Sequence, residues 1–184
     1  MKMTKIIAAL MLVLMTLVVA GCDKDNNQQS NKSTNTVVEN KTEKPTEEKI
    51  KIKVYFPNSD ATKLVAVDKT VKVAGTTKYK AAMDVLMEGT DDSKLTTVIP
   101  KQAKLLGVTV NGDTAKVDFD KGLIKHFNGG STGEEFLVGS VVNTLTDFPE
   151  IKKVQITIDG RNVETLKGHM DVSKPLSRMD ELLK

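Results

Sequence analysis

The two histidines, His126 and His169, stand far apart and in no ligand spacing such as H-x-x-x-H, so no zinc site is expected on them. Asp118, Asp120 and Asp159 are the carboxylates that a paired acid–base site or a calcium loop would use. Asp118 and Asp120 alternate onto the outward face of an expected strand, and Asp159 precedes a glycine in a turn. Their spacing does not match a calcium loop. Gly129-Gly130-Ser131-Thr132-Gly133 leads into an expected helix, where backbone N–H groups and the helix dipole could hold an anion. Gly129, Gly130, Ser131 and Thr132 are therefore the candidate binding residues. The segment lacks the Gly-Lys-Ser/Thr ending of a nucleotide loop and the G-x-S-x-G of a serine hydrolase. Its plainer reading is a lead-in whose Ser131 or Thr132 caps the helix, with Glu134 or Glu135 completing a capping box. No catalytic residue, metal ligand or cofactor is assigned, and the chain reads as a non-enzyme. The alternative is an envelope enzyme using Asp118, Asp120 or His126 as acid or base.

The remaining reactive group is Cys22, the only cysteine. Lys2 and Lys5 precede an apolar run from Ile6 to Val18 broken only by Thr16, and Val19-Ala20-Gly21-Cys22 supplies small residues for cleavage. The run is too short for a spanning helix, which needs about 20 apolar residues, and it has the layout of a secretory signal. Val-Ala-Gly-Cys resembles the bacterial lipobox. That resemblance implies cleavage before Cys22, acylation of its thiol and a lipid anchor on a membrane. A secreted chain with a stray cysteine, or an uncleaved signal anchor, is the alternative; an unpaired thiol outside the cell is an oxidation liability. One acyl chain binds reversibly, whereas two or three hold firmly at about 0.8 kcal/mol per buried methylene. With Cys22 committed, the mature chain has no disulfide and must stand on its core.

Three segments follow: a signal at 1–21, the acylated cysteine and polar tether at 22–49, and one folded domain at 50–184. The tether is rich in Asn, Gln, Ser, Thr, Lys and Glu, with Val37 and Val38 as its apolar exceptions and Pro45 near its end. It cannot bury enough surface to offset its chain entropy and is expected to be disordered, with a coil-like reach of roughly 25–30 Å. The domain has no tryptophan and few aromatics, so its core is Val, Ile, Leu, Met and Ala. The formal charge of +3 includes Lys2 and Lys5; the mature chain is near neutral, against nucleic acid as a partner.

Alternation of Ile50, Ile52, Val54 and Phe56 with Lys49, Lys51, Lys53 and Tyr55 predicts a strand with one wet face. The lysine row could favour anionic lipid or wall polymer, or simply guard an edge against aggregation. A second extended region runs from Leu64 to Val73. Gly75-Thr76-Thr77 opens a helix with Tyr79, Ala82, Met83 and Leu86 on one face and Gly89 as its stop. Val108 and Val110 enter an Asn111-Gly112 hairpin, and Ala115, Val117 and Phe119 leave it. A second helix carries an apolar stripe of Phe136, Leu137, Val141 and Leu145, with Phe148 at its end and Pro149 terminating it. Val154, Ile156 and Ile158 make a strand before Asp159-Gly160. A short strand is expected over 163–166, then irregular chain and a terminal helical turn. The expected class is α/β: a small mixed or antiparallel sheet with two helices packed on one face.

This order of motifs resembles the GerMN domain of bacterial surface lipoproteins, a sporulation and germination module. The matching residues are Val54-Tyr55-Phe56-Pro57, the helix from Ala81 to Gly89, Leu95-Thr96-Thr97-Val98-Ile99-Pro100, and the hairpin strand Ala115 to Phe119. The helix from Glu134 to Leu145 with Phe148-Pro149, the strand Val154 to Gly160, and Leu176 beside Pro175 complete the set. Here Gly89 is followed by Thr90, where many members have Gly-Pro, and the chain has length for one such domain where sporulation members tend to carry two. The resemblance implies an extracytoplasmic binding or assembly module, similar to ring-building domains, held on the membrane through lipid on Cys22. Its partner would be a protein or a second copy, in an envelope complex related to sporulation or germination. The competing reading is a lipoprotein that binds a small molecule or cell-wall glycan, for which the scarcity of aromatics is unfavourable.

Overall fold

The structure is a computed structural model and describes residues 48–73 and 77–184. The expected signal, Cys22 and the tether up to residue 47 lie outside the described residues, as do Gly75 and Thr76 of the expected helix opening. The lysine–isoleucine alternation forms β1 (Glu48–Pro57), which pairs antiparallel with β2 (Leu64–Val73) from Glu48↔Val73 to Pro57↔Leu64. Glu48 and Lys49, counted with the tether above, are thus strand residues. Asn58 closes the hairpin: its Oδ1 accepts from Thr62 N (2.9 Å) and Lys63 N (3.1 Å).

Thr77 caps α1 (Lys78–Glu88) by accepting from Lys80 N, and Gly89 ends it at φ 84°. Ala82, Met83 and Leu86 are buried, as the periodicity predicts. A hairpin of β3 (Leu105–Asn111) and β4 (Thr114–Phe119) follows. Asn111 pairs with Thr114, so the two-residue loop is Gly112-Asp113, with Gly112 at φ 60° in the first central position that a II′ turn reserves for glycine. A short helix that the sequence pattern does not announce, α2 (Gly122–His126), precedes α3 (Ser131–Thr146). The chain then enters β5 (Lys153–Ile158), parallel to β4, and β6 (Arg161–Asn162) and β7 (Leu176–Ser177) both pair antiparallel with β5.

The α/β class with a small mixed sheet is as expected, but the strands divide. β1–β2 form one two-stranded sheet, and β3-β4-β5 with β6 and β7 form a second. Helix α1 packs on β1, β2 and β3, while α3 packs on β1, β2, β5 and β7, so both helices bridge the two sheets. This explains why α3 is buried almost all round, from Phe136 to Leu145, rather than along one stripe. A helix covered on several sides needs apolar or satisfied residues on each of them.

Two expectations fail locally. The helix N-cap is Gly130, with no side-chain cap bond, so neither Ser131 nor Thr132 caps and no capping box forms. The expected strand at 163–166 is absent: only Arg161–Asn162 pair with β5, and the chain beyond is irregular. Both departures adjoin the hydrogen bonds that Glu134 makes.

Candidate functional site

Glu134 falls at the fourth position of α3, one residue past the place a capping-box glutamate occupies, and its side chain turns inward with no solvent exposure. Oε1 accepts from Leu166 N (2.9 Å) and Lys167 N (2.9 Å), and Oε2 from His169 N (3.0 Å). His169 Nδ1 lies 2.9 Å from Oε2. Burial pushes the carboxyl's pKa up, but the backbone N–H bonds, Lys167 first, and the His169 contact outweigh it and hold it below the ordinary value. The carboxylate therefore does for the 166–169 backbone what a strand partner would have done.

At the other end of α3, Asn143 makes a two-point clamp on the tail, accepting from Met179 N (2.8 Å) and donating to Met179 O (3.0 Å). Arg178 donates to Tyr55 Oη (2.7 Å) and Asn143 O (3.2 Å), and Tyr55 Oη donates to Asp147 Oδ1 (2.7 Å). Burial and that bond to Asp147 raise the Tyr55 pKa. On α1, Tyr79 Oη donates to Glu150 Oε1 (2.7 Å), and its ring meets Phe148 edge-on at 5.1 Å. Hydrogen bonds from Lys78 and then Tyr79 draw the Glu150 carboxyl down to about 2, and burial with the Glu150 bond lifts Tyr79 to about 12. All of these groups are spent on structure.

The outer surface of α3's first turn is different. A trough of about 420 Å³ opens there between two irregular segments, 96–102 on one wall and 126–129 with Gly133 on the other. The first wall hangs from α1: Thr97 Oγ1 accepts from Thr90 N (3.1 Å), while Ile99 and Ala103 are buried anchors. Asp120 Oδ1 secures its far end by accepting from Lys104 N (2.9 Å) and Gly122 N (3.0 Å). The second wall is the end of α2 and the glycine segment, with Phe127 buried beneath it. A Cβ at Gly129 would lie 2.3 Å from Phe127 Cζ, so the glycine is required by the ring that fills the space behind it.

The candidate residues therefore separate. Gly129 lines the trough together with His126 and Asn128. Gly130, Ser131 and Thr132 are exposed, and Ser131 borders a second hollow of about 270 Å³ with Glu135, His169 and Met170. Asp118, proposed as a possible acid, accepts from Thr157 Oγ1 (2.7 Å) and Gly160 N (2.8 Å), while Asp159 occupies the β5–β6 turn at φ 48°. Among the described residues no group of three or more His, Cys, Asp and Glu is gathered to hold a metal ion. No helix among them is long and apolar enough to cross a membrane. Sequence reasoning missed the latch residues Glu134, Asn143 and Arg178. The one available signal was polar residues at 134, 140, 143 and 144 in an otherwise apolar helix, which marks inward polar contacts without naming their partners.

A candidate lipoprotein from Clostridium perfringens has the same fold, with 27% identity and a TM-score of 0.53 over 72% of this chain and 89% of that one. The tandem GerMN domains of the sporulation protein GerM from Bacillus subtilis superpose with a TM-score of 0.55 at 19% identity, over 75% of this chain and 48% of that one. The first GerMN domain of that protein gives 0.53 at 24% identity, over 70% and 98%. At those identities the two GerM structures speak for the fold alone. No curated protein matches the chain. The profile of the Germane family, described as sporulation and spore germination, matches residues 53–164, which span β1 to the segment after β6. That match covers more than half of the sequence, so the chain belongs to the Germane family and its folded part is a GerMN-like domain.

Proposed function

We propose that the protein is an extracytoplasmic lipoprotein, anchored through Cys22, whose GerMN-like domain is a non-catalytic module that binds a protein partner or a second copy in an envelope complex related to sporulation or germination. The observation that carries this reading is the family match over 53–164 together with the likeness to the Clostridium perfringens candidate lipoprotein. The trough between 96–102 and 126–129 is the surface we assign to the partner. Five consecutive residues, 96–100, line it. The backbone N–H groups of Thr97, Val98 and Ile99 have no partner among the described residues. A strip of unpaired backbone is what an extended segment of another chain recognises.

The test is crosslinking in cell membranes followed by affinity recovery, comparing wild type, Cys22→Ala and the double variant Thr96→Arg/Asn128→Arg. One partner recovered with wild type, weakened without the anchor and lost with the arginines, supports the reading. A domain that stays monomeric and recovers the same proteins in all three forms overturns it. The trough's volume also lies within the range of small-ligand sites, which favours a glycan-binding reading as the second choice. Calorimetry with N-acetylglucosamine oligomers separates the two, since only the second reading expects heat.

A further inference from the structure

We propose that the cationic face of the β1–β2 hairpin docks on anionic lipid headgroups, so that the domain lies on the membrane beside its anchor instead of standing off it. This deepens the anchored-lipoprotein reading and rests on it for the proximity of a bilayer. Successive strand residues point to opposite faces, so Lys49, Lys51 and Lys53 share one face of β1. The register brings Lys72 opposite Lys49, Thr70 opposite Lys51 and Asp68 opposite Lys53. Among the described residues that face carries Lys49, Lys51, Lys53 and Lys72 with one carboxylate, Asp68, which accepts from Lys53 Nζ at 2.7 Å. Lys49 and Lys51 are exposed, and the charge of Lys51 acts on Asp68 beside that of Lys53.

The face cannot turn inward. Its reverse carries Ile50, Ile52 and Val54 with Val67 and Val71 across from them, all in or against the core. Burial of that set locks the pleat, because a slip of one residue would exchange the two faces. Placement is the second observation. The lysines sit at the start of β1, about 26 positions after Cys22 in the sequence. The mature chain is close to neutral overall, so any attraction to an anionic surface must be local, and this hairpin supplies it. Beside a lipid anchor, each lysine of a basic patch adds to the hold on an anionic surface.

The core of the domain lies wholly between Ile52 and Leu182, so residues 42–184 are expected to fold without what precedes them. That fragment is sedimented with phosphatidylcholine vesicles, with and without phosphatidylglycerol, at low and high salt. We expect binding only where phosphatidylglycerol is present, falling as salt rises. Lys49→Ala/Lys51→Ala should weaken it about 25-fold, at about fivefold per lysine. Lys69→Ala, on the opposite face, should leave it unchanged. Equal binding to both vesicles, an unaffected double variant, or binding to soluble poly(glycerol phosphate) without vesicle binding overturns the proposal. The mass of the mature N-terminus in membranes reads the anchor separately. An unmodified Cys22 with lysine-dependent vesicle binding sinks the anchor and spares the docking face, and the reverse pattern sinks only the face.

Discussion

The two sides of α3's first turn are built from adjacent residues and end in opposite states. On the inner side, Glu134 is fully buried and accepts from three backbone N–H groups. On the outer side, Gly130 caps the helix with no side-chain bond, and Gly129 opens onto a trough whose other wall runs from Thr96 to Pro100. The inner side is saturated and contributes stability. The outer side leaves its polar groups to solvent or a partner, which is where recognition can occur without disturbing the fold. Asn143 repeats the inner pattern at the far end of α3 by taking both backbone polar atoms of Met179.

The largest effect should come from the inner side. Glu134→Ala leaves the N–H groups of Leu166, Lys167 and His169 without their acceptor, and we expect a loss of about 3 kcal/mol in urea unfolding. Hydrogen exchange should open at 166–169; a loss well under 1 kcal/mol would mean that water replaces the carboxylate and the contrast is false. Asn143→Ala removes the clamp on Met179 and should cost about 2 kcal/mol, read by the same melts, with the tail from 178 onward becoming accessible to protease. Gly129→Ala brings a Cβ against the Phe127 ring and should cost about 1–2 kcal/mol while reshaping the trough, a change visible in a crystal structure of the variant.

Acid sharpens the same comparison. The Glu134 pKa is lowered in the folded state, so its contribution is present above the unfolded carboxyl value and is lost as pH falls through the folded one. Glu150, at about 2, acts in the same direction, but its side chain is 42% exposed and solvent screening keeps its share small. Urea midpoints measured downward from about pH 5 should therefore fall in wild type and fall less steeply in Glu134→Gln. The smallest effect is on the outer side. Nothing lies within 4 Å of a Cβ at Gly130, and its φ of −83° suits any residue, so Gly130→Ser should stabilise by about 0.5 kcal/mol. Thermal melts decide the sign.

How much of this was legible depends on the range of the interaction. The β1 alternation and the Thr77 and Gly89 ends of α1 follow from neighbours within a few residues and stand where the pattern puts them, while the β3–β4 hairpin forms with its loop one residue later, at Gly112-Asp113. The capping box at 131–135 was misread because the same Glu134 satisfies a local rule and a distant one. The distant one prevails, since a buried carboxylate with several N–H donors is held more strongly than an exposed cap. The glycine segment was visible as a motif, but its dependence on the Phe127 ring was not.

The sequence by itself determined β1, β2, α1, the β3–β4 hairpin, α3 and β5, because periodicity and capping are properties of adjacent residues. It also determined the order of motifs by which the family is recognised. Only the tertiary structure decided that the strands split into two sheets bridged by α1 and α3. It alone decided that Glu134 latches a loop 32 residues away and that 96–102 and 126–129 face one another across a trough. Those outcomes depend on which buried polar group meets which backbone after the chain has closed on its core, and no local pattern encodes that pairing.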